Sequence, residues 1–132
     1  MKVFLSVGAT YNTQQEDFVK AFENYLSQNG CERLTVGRGF HTSAQPIVEA
    51  RNLMQKADGV VVIGFTRQII ERAIEQPGGL KQTSINNRKI PTIWNQLESA
   101  MAFGLGLPLL LIIEEGYTRK QCLKIDLNIG HY

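Results

Sequence analysis

GVVVI, residues 59–63, decides the fold. Four β-branched side chains follow one glycine without a polar residue between them. A strand with one wet face alternates apolar and polar residues, so a continuous run reads as a strand covered on both faces. The chain before it supplies the units that such a strand needs as neighbours. KVFLSV (Lys2–Val7) is a short apolar run rich in strand formers. After the turn-like GATYNT (8–13), Phe18, Phe22, Tyr25 and Leu26 recur at helical spacing, and Asn29-Gly30 is a stop signal. RLTV (33–36) reads as a second strand. The loop GRGFHTSAQ (37–45) follows, and Pro46 suits a first helical turn, with Ile47, Ala50, Leu53 and Met54 on one face. Strand, helix, strand, helix, strand is the pattern of an α/β domain with a parallel sheet and helices on both faces.

After Gly64 the regularity weakens. Residues 67–75 are read as a short helix, and 76–91 (QPGGLKQTSINNRKIP) as a polar loop. A loop of that length in a compact α/β domain is usually functional or mobile. A helix around Trp94 stops near Gly104 or Gly106, and PLLLII (108–113) is a fourth buried strand. Beyond Glu114 the reading is a short helix around 119–123 and the start of a fifth strand in LNIGHY (127–132), for a sheet of four to five strands. The abrupt end points to a domain cut from a longer protein. No repeat or low-complexity segment interrupts residues 1–132, which read as a single domain.

Bulk composition narrows the function classes. A chain of 132 residues buries roughly two thirds of its unfolded surface, enough for a core. Apolar content of 43% and charged content of 20% are ordinary for a soluble domain. A formal charge of +2 gives no argument for nucleic acid or a membrane surface as partner. Cys31 and Cys122 lie far apart in sequence and read as free thiols. No signal-peptide pattern is visible, and the apolar run 105–113 is far short of the ~20 residues that span a bilayer. The expected location is cytoplasmic.

In a doubly wound sheet, ligands bind outside the carboxyl ends of the strands. Three segments should meet there: the loop after the first strand (8–12), the loop after the second (37–43) and whatever follows the third. A helix leading into the fourth strand packs against the same rim, which would turn Glu98 toward the cleft. Glu98 lies in WNQLESAMAFGLGLPLLLI (94–112), the most apolar part of the chain, one helical turn after Trp94. With Leu97, Met101 and Ile93 as the neighbouring buried stripe, Glu98 falls at a boundary where partial desolvation raises a carboxyl pKa. Periodicity alone leaves open a solvated glutamate flanking an amphipathic helix.

Other residues carry two readings each. Ser6 and Gly8 end the first strand, where a ligand or phosphate could approach, or where the chain simply turns. Arg38 and Phe40 could clamp a phosphate and stack on a base, or be a solvated cation and a packing ring. His41 fits a proton shuttle or a surface position. Arg67, at the end of the third strand, could meet phosphate. Asp58 reads as a turn residue, and Lys81, Arg88 and Lys89 as cations that solvate a loop. The sequence contains no P-loop, no G-x-G-x-x-G fingerprint and no metal-ligand cluster, which argues against phosphoryl transfer, Rossmann redox chemistry and a metal enzyme.

The segment from Glu98 onward, E-x-x-x-A-x-x-L-G-x-P with Ala102, Leu105, Gly106 and Pro108, resembles the catalytic segment of nucleoside 2-deoxyribosyltransferases. Trp94 and Glu98, as W-x-x-x-E, resemble the catalytic helix of TIR domains that cleave NAD. The opening KVFLS and the run ADGVVVI are similar to both families. The resemblance implies a flavodoxin-like three-layer sandwich and breakage of an N-glycosidic bond at a ribose carbon. Positive charge develops on the sugar in such a reaction, and Glu98 would stabilise it or attack as a nucleophile. In NAD the leaving nicotinamide is cationic, so no strong general acid is needed. Trp94 would shape the pocket or anchor the helix. Thr92, Ala100 and Leu107 stand where the transferases carry an aspartate, a glycine and a lysine, which weighs against base exchange on deoxynucleosides. The leading expectation is therefore an NAD glycohydrolase of TIR type with NAD as substrate and no cofactor. The resemblance further implies self-association, a fused or separate sensor, and a place in bacterial anti-phage defence. A transferase or N-ribosyl hydrolase, and a non-catalytic nucleotide-binding or signalling module, are the alternatives.

Overall fold

The computed structural model describes residues 1–36 and 45–114. Four strands form one parallel sheet: β1 (Lys2–Val7), β2 (Glu32–Leu34), β3 (Gly59–Gly64) and β6 (Leu109–Ile113), in the order β2-β1-β3-β6. Val3 to Val7 pair with Gly59 to Ile63, and Val60 to Gly64 pair with Leu109 to Ile113. This is the flavodoxin-like order, in which the chain reverses its direction of winding between β1 and β3.

Both faces of β3 are covered, as its unbroken apolar run requires. Val61 and Ile63 pack with Val3, Leu5 and Leu26, the last from α1 (Thr13–Gln28). Val60 and Val62 pack on the opposite face with Phe4 and with Ala50 and Met54 of α2 (Pro46–Met54), and with Ala102 of α3 (Ile93–Gly104). The result is a three-layer α/β sandwich. Helix boundaries follow local chemistry. The Asn12 side chain caps α1 at the Gln15 N–H, and α1 ends at Asn29 with Gly30 left-handed at φ 71°. Pro46 opens α2, and α3 ends before Gly106 at φ 69°.

The segment between β3 and α3 differs from the sequence reading. Residues expected to form a short helix (67–75) and a polar loop (76–91) make an antiparallel hairpin, β4 (Gln68–Glu75) and β5 (Thr83–Ile90). Ile69, Ile70, Ala73 and Ile74 mimic helical spacing, but the turn through Pro77 and the left-handed Gly78 returns the chain onto β5. Neither strand alternates cleanly, because most of both faces is open to water. The hairpin joins no other sheet among the described residues. Its base is closed by the Arg67 N–H donating to the Ile90 carbonyl at 2.8 Å. The expected fifth strand and the tail helix lie outside the described residues. Among those described, no helix is long and apolar enough to cross a membrane.

Candidate functional site

The carboxyl ends of β1 and β3 and the first turns of α3 converge on one side of the sheet, and Glu98 sits there. It is buried, with 8% of its surface exposed. Burial pushes its carboxyl above the ordinary 4.5, and a hydrogen bond from the Ser6 side chain draws it part of the way back. The boundary position read from sequence is thus an interior one.

Sequence reasoning missed the polar cluster beside Glu98. Asn95, one turn earlier on the same helix, is also buried. Its amide Nδ2 donates to Ser6 Oγ at 3.1 Å, and its Oδ1 accepts from Thr92 Oγ1 at 2.8 Å. Thr92 is the N-cap of α3, its hydroxyl accepting the Asn95 N–H at 3.1 Å. Ser99 Oγ donates to the Asn95 carbonyl at 2.6 Å. A hydrogen-bonded chain therefore runs from Thr92 through Asn95 to Ser6. The signal in the sequence was T-x-x-N at a helix start, with the asparagine three residues before the glutamate.

Gly8 makes this junction possible. A Cβ there would lie 2.8 Å from Thr92 Cγ2, so only glycine lets the end of β1 approach the α3 cap this closely. Ser6 and Gly8, read as ligand contacts or as a simple turn, are both engaged within the protein: the Ser6 hydroxyl accepts from Asn95 Nδ2, and Gly8 lies against Thr92.

Trp94 and its neighbours face the other way from the sequence expectation. Ile93 is 70% exposed, Trp94 45% and Leu97 41%, while Asn95, Glu98, Ser99 and Ala102 form the buried face. Glu98 is buried while Trp94, one turn before it, is exposed, and of the expected neighbouring stripe of Ile93, Leu97 and Met101 only Met101 is partly covered. Arg67 stands exposed at the rim beyond β3 and makes no ion pair among the described residues. Arg38, Phe40 and His41 lie outside the described residues.

A second carboxylate closes the rim. Glu114, just past β6, accepts from the Thr66 N–H at 2.8 Å and from Gln15 Nε2 at 3.4 Å. Burial works to raise its pKa, but these hydrogen bonds and the nearby Lys89 cation outweigh it, and the carboxyl lies below 4.5. Tyr11 Oη donates to the Thr66 carbonyl at 2.7 Å, tying the loops after β1 and β3 together. Glu114 is thus a clamp on the rim, already occupied by protein donors. Among the described residues, no group of three or more His, Cys, Asp or Glu could hold a metal ion. No protein-family model matches the chain, and no curated protein matches it.

Proposed function

We propose that the chain is a nucleotide N-glycosidase of TIR-like type, cleaving the bond between nicotinamide and ribose in NAD, with Glu98 as its central residue. The observation that carries this reading is a buried carboxylate on α3, the helix that packs against β1 and β3, at the point where the winding of the sheet reverses. That is where ligands of doubly wound sheets bind. A desolvated, oriented carboxylate interacts strongly with positive charge developing beside it.

In the proposed reaction the C1′–N bond breaks and its electron pair leaves with neutral nicotinamide. Glu98 stabilises the oxocarbenium-like ribose or forms an ester with it. Water then supplies the new C1′ oxygen and releases one proton to solvent. Arg67 on the rim is suited to the substrate diphosphate. Trp94, half exposed, suits the outer wall of the pocket or a contact with another copy rather than its floor. Self-association and a sensor partner belong to the same proposal.

The test is nicotinamide release from NAD at high protein concentration, with and without a crowding agent. Release by the wild type and none by Glu98→Gln, with the fold unchanged, is the expected result. Equal release by both proteins sinks the assignment of Glu98. Activity on deoxynucleosides alone would move the reading to the transferase class.

A further inference from the structure

We infer that Arg67 is the contact for the substrate diphosphate, and that Tyr11, Gln15 and Glu114 are positioning residues joined in a closed ring of hydrogen bonds that fixes the backbone carrying it. This rests on the NAD reading for the identity of the anion and adds which residues hold it in place. The ring can be followed atom by atom. The Tyr11 backbone N–H donates to Gln15 Oε1 at 3.2 Å. A backbone N–H can only donate, so the Gln15 amide is left to turn Nε2 toward Glu114 Oε1, at 3.4 Å. Glu114 Oε2 accepts the Thr66 N–H at 2.8 Å. The Thr66 carbonyl accepts from Tyr11 Oη at 2.7 Å, which returns the bonds to the residue where they began. Gln15 and Thr66 are both buried.

The ring joins the exits of three strands, since Tyr11 follows β1, Thr66 follows β3 and Glu114 follows β6. Ligands of doubly wound sheets bind at such exits. Both backbone polar groups of Thr66 are engaged in the ring, and the next N–H, that of Arg67, is engaged by the Ile90 carbonyl. The backbone leading into Arg67 is therefore held on both sides. Its side chain is not. Arg67 is exposed and makes no ion pair among the described residues, although Glu114 bonds the residue beside it. The neighbouring cations are engaged: Lys89 lies near Glu114, and Arg88 pairs with Glu75 at 3.7 Å. An unpaired guanidinium gives up no internal partner when it takes a phosphate, and its fork of donors matches phosphate oxygens. A fixed backbone lowers the ordering cost of that contact.

The experiment is calorimetric titration of the full chain with ADP-ribose, which carries the diphosphate and both riboses without nicotinamide. Wild type should bind it. Arg67→Ala should weaken binding about ten- to a hundredfold, the worth of one hydrogen bond to a charged group, and Arg67→Lys should recover part of the loss. Lys81→Ala removes an equal charge from the exposed turn of the hairpin and should bind like wild type. Glu114→Ala frees the Thr66 N–H, and Tyr11→Phe deletes only a hydroxyl. Each should weaken binding by less than Arg67→Ala. Tyr11 is 57% exposed, so its variant keeps the test available if Glu114→Ala fails to fold. Added to Arg67→Ala, Tyr11→Phe should cost nothing further, because fixing the backbone has no value once the contact is gone. In turnover, Tyr11→Phe should raise KM by a larger factor for NAD than for nicotinamide riboside, which carries no phosphate. No binding by wild type, equal binding by wild type and Arg67→Ala, or the full Tyr11→Phe loss in the double variant overturns the inference. Binding that depends on Arg67 and on the ring, in a protein that releases no nicotinamide, leaves the inference standing and removes the NAD reading.

Discussion

Replacing Gly8 with alanine tests the junction on which the site is built. The added Cβ would sit 2.8 Å from Thr92 Cγ2, about 0.6 Å inside an ordinary contact at 3.4 Å. The other nearby atoms, Thr92 Oγ1 at 3.7 Å and Asn95 Oδ1 at 3.9 Å, leave normal room. The strain is therefore confined to one methyl group. Overpacking of this kind costs about 1–3 kcal/mol, and displacing a helix N-cap about 1 kcal/mol more. Gly8→Ala should destabilise by about 2–4 kcal/mol, read as a lower urea midpoint with unchanged slope. Thr92→Ser deletes that methyl and retains the hydroxyl that caps α3 and bonds Asn95. Alone it should be nearly neutral, since serine caps at least as well as threonine. Combined with Gly8→Ala it should recover most of the loss, a coupling of more than about 1 kcal/mol between residues in direct contact. A cost below about 0.5 kcal/mol for Gly8→Ala, or purely additive effects of the two changes, would refute the reasoning that this approach holds the site together.

Three further outcomes follow from the same structure. Glu98→Gln should raise stability near pH 7. Folding lifts the Glu98 pKa above 4.5, so stability falls as pH rises through that window, and the neutral amide escapes the loss. Urea midpoints of the two proteins should converge below pH 4.5, and a less stable variant near pH 7 would contradict the burial argument. Glu114 has the opposite sign: its folded pKa is lowered, so its contribution is present above 4.5 and disappears as pH falls through the folded value. Glu114→Gln should therefore flatten the acid side of the stability profile, measured by thermal unfolding against pH. Amides of β4 and β5 should exchange hydrogen faster than those of β1 and β3, because a two-stranded hairpin outside the main sheet is marginally stable by itself. Equal protection in the two sheets would show that the hairpin belongs to the same cooperative unit.

The sheet and its helices were legible because burial there follows composition. The run at 59–63 lies between two layers and is apolar throughout, and Asn29-Gly30, Pro46 and Gly106 act through the backbone whatever surrounds them. The hairpin was not legible. Its strands have no covered face, so no period of two is imposed on them, and the isoleucines of β4 fall by chance into helical register. The polar residues of β5, among them the left-handed Asn87, read as loop for the same reason. The spacing of Phe18, Phe22, Tyr25 and Leu26 marks α1 as a helix without fixing its inner face: Phe18 and Tyr25 are exposed, and Gln15, Val19 and Leu26 point inward. Gln15 is buried because it serves the rim, donating to Glu114 and accepting from the Tyr11 N–H.

The same inversion on α3 carries the functional argument. Hydrophobic periodicity turns Ile93, Trp94 and Leu97 inward, which would leave Asn95 and Ser99 in water. The structure turns the helix so that Asn95, Glu98 and Ser99 are buried and the larger apolar residues are outside. Burying a polar side chain costs stability unless its hydrogen bonds are made, and exposing large apolar ones forfeits what they would otherwise contribute. Both costs fall on one helix, and the hydrogen bonds of Thr92, Ser6, Asn95 and Ser99 offset the first. Conflicts between local pattern and tertiary structure concentrate at sites kept for function. The position of Glu98 at the centre of this conflict distinguishes it from a glutamate that merely flanks an apolar stripe.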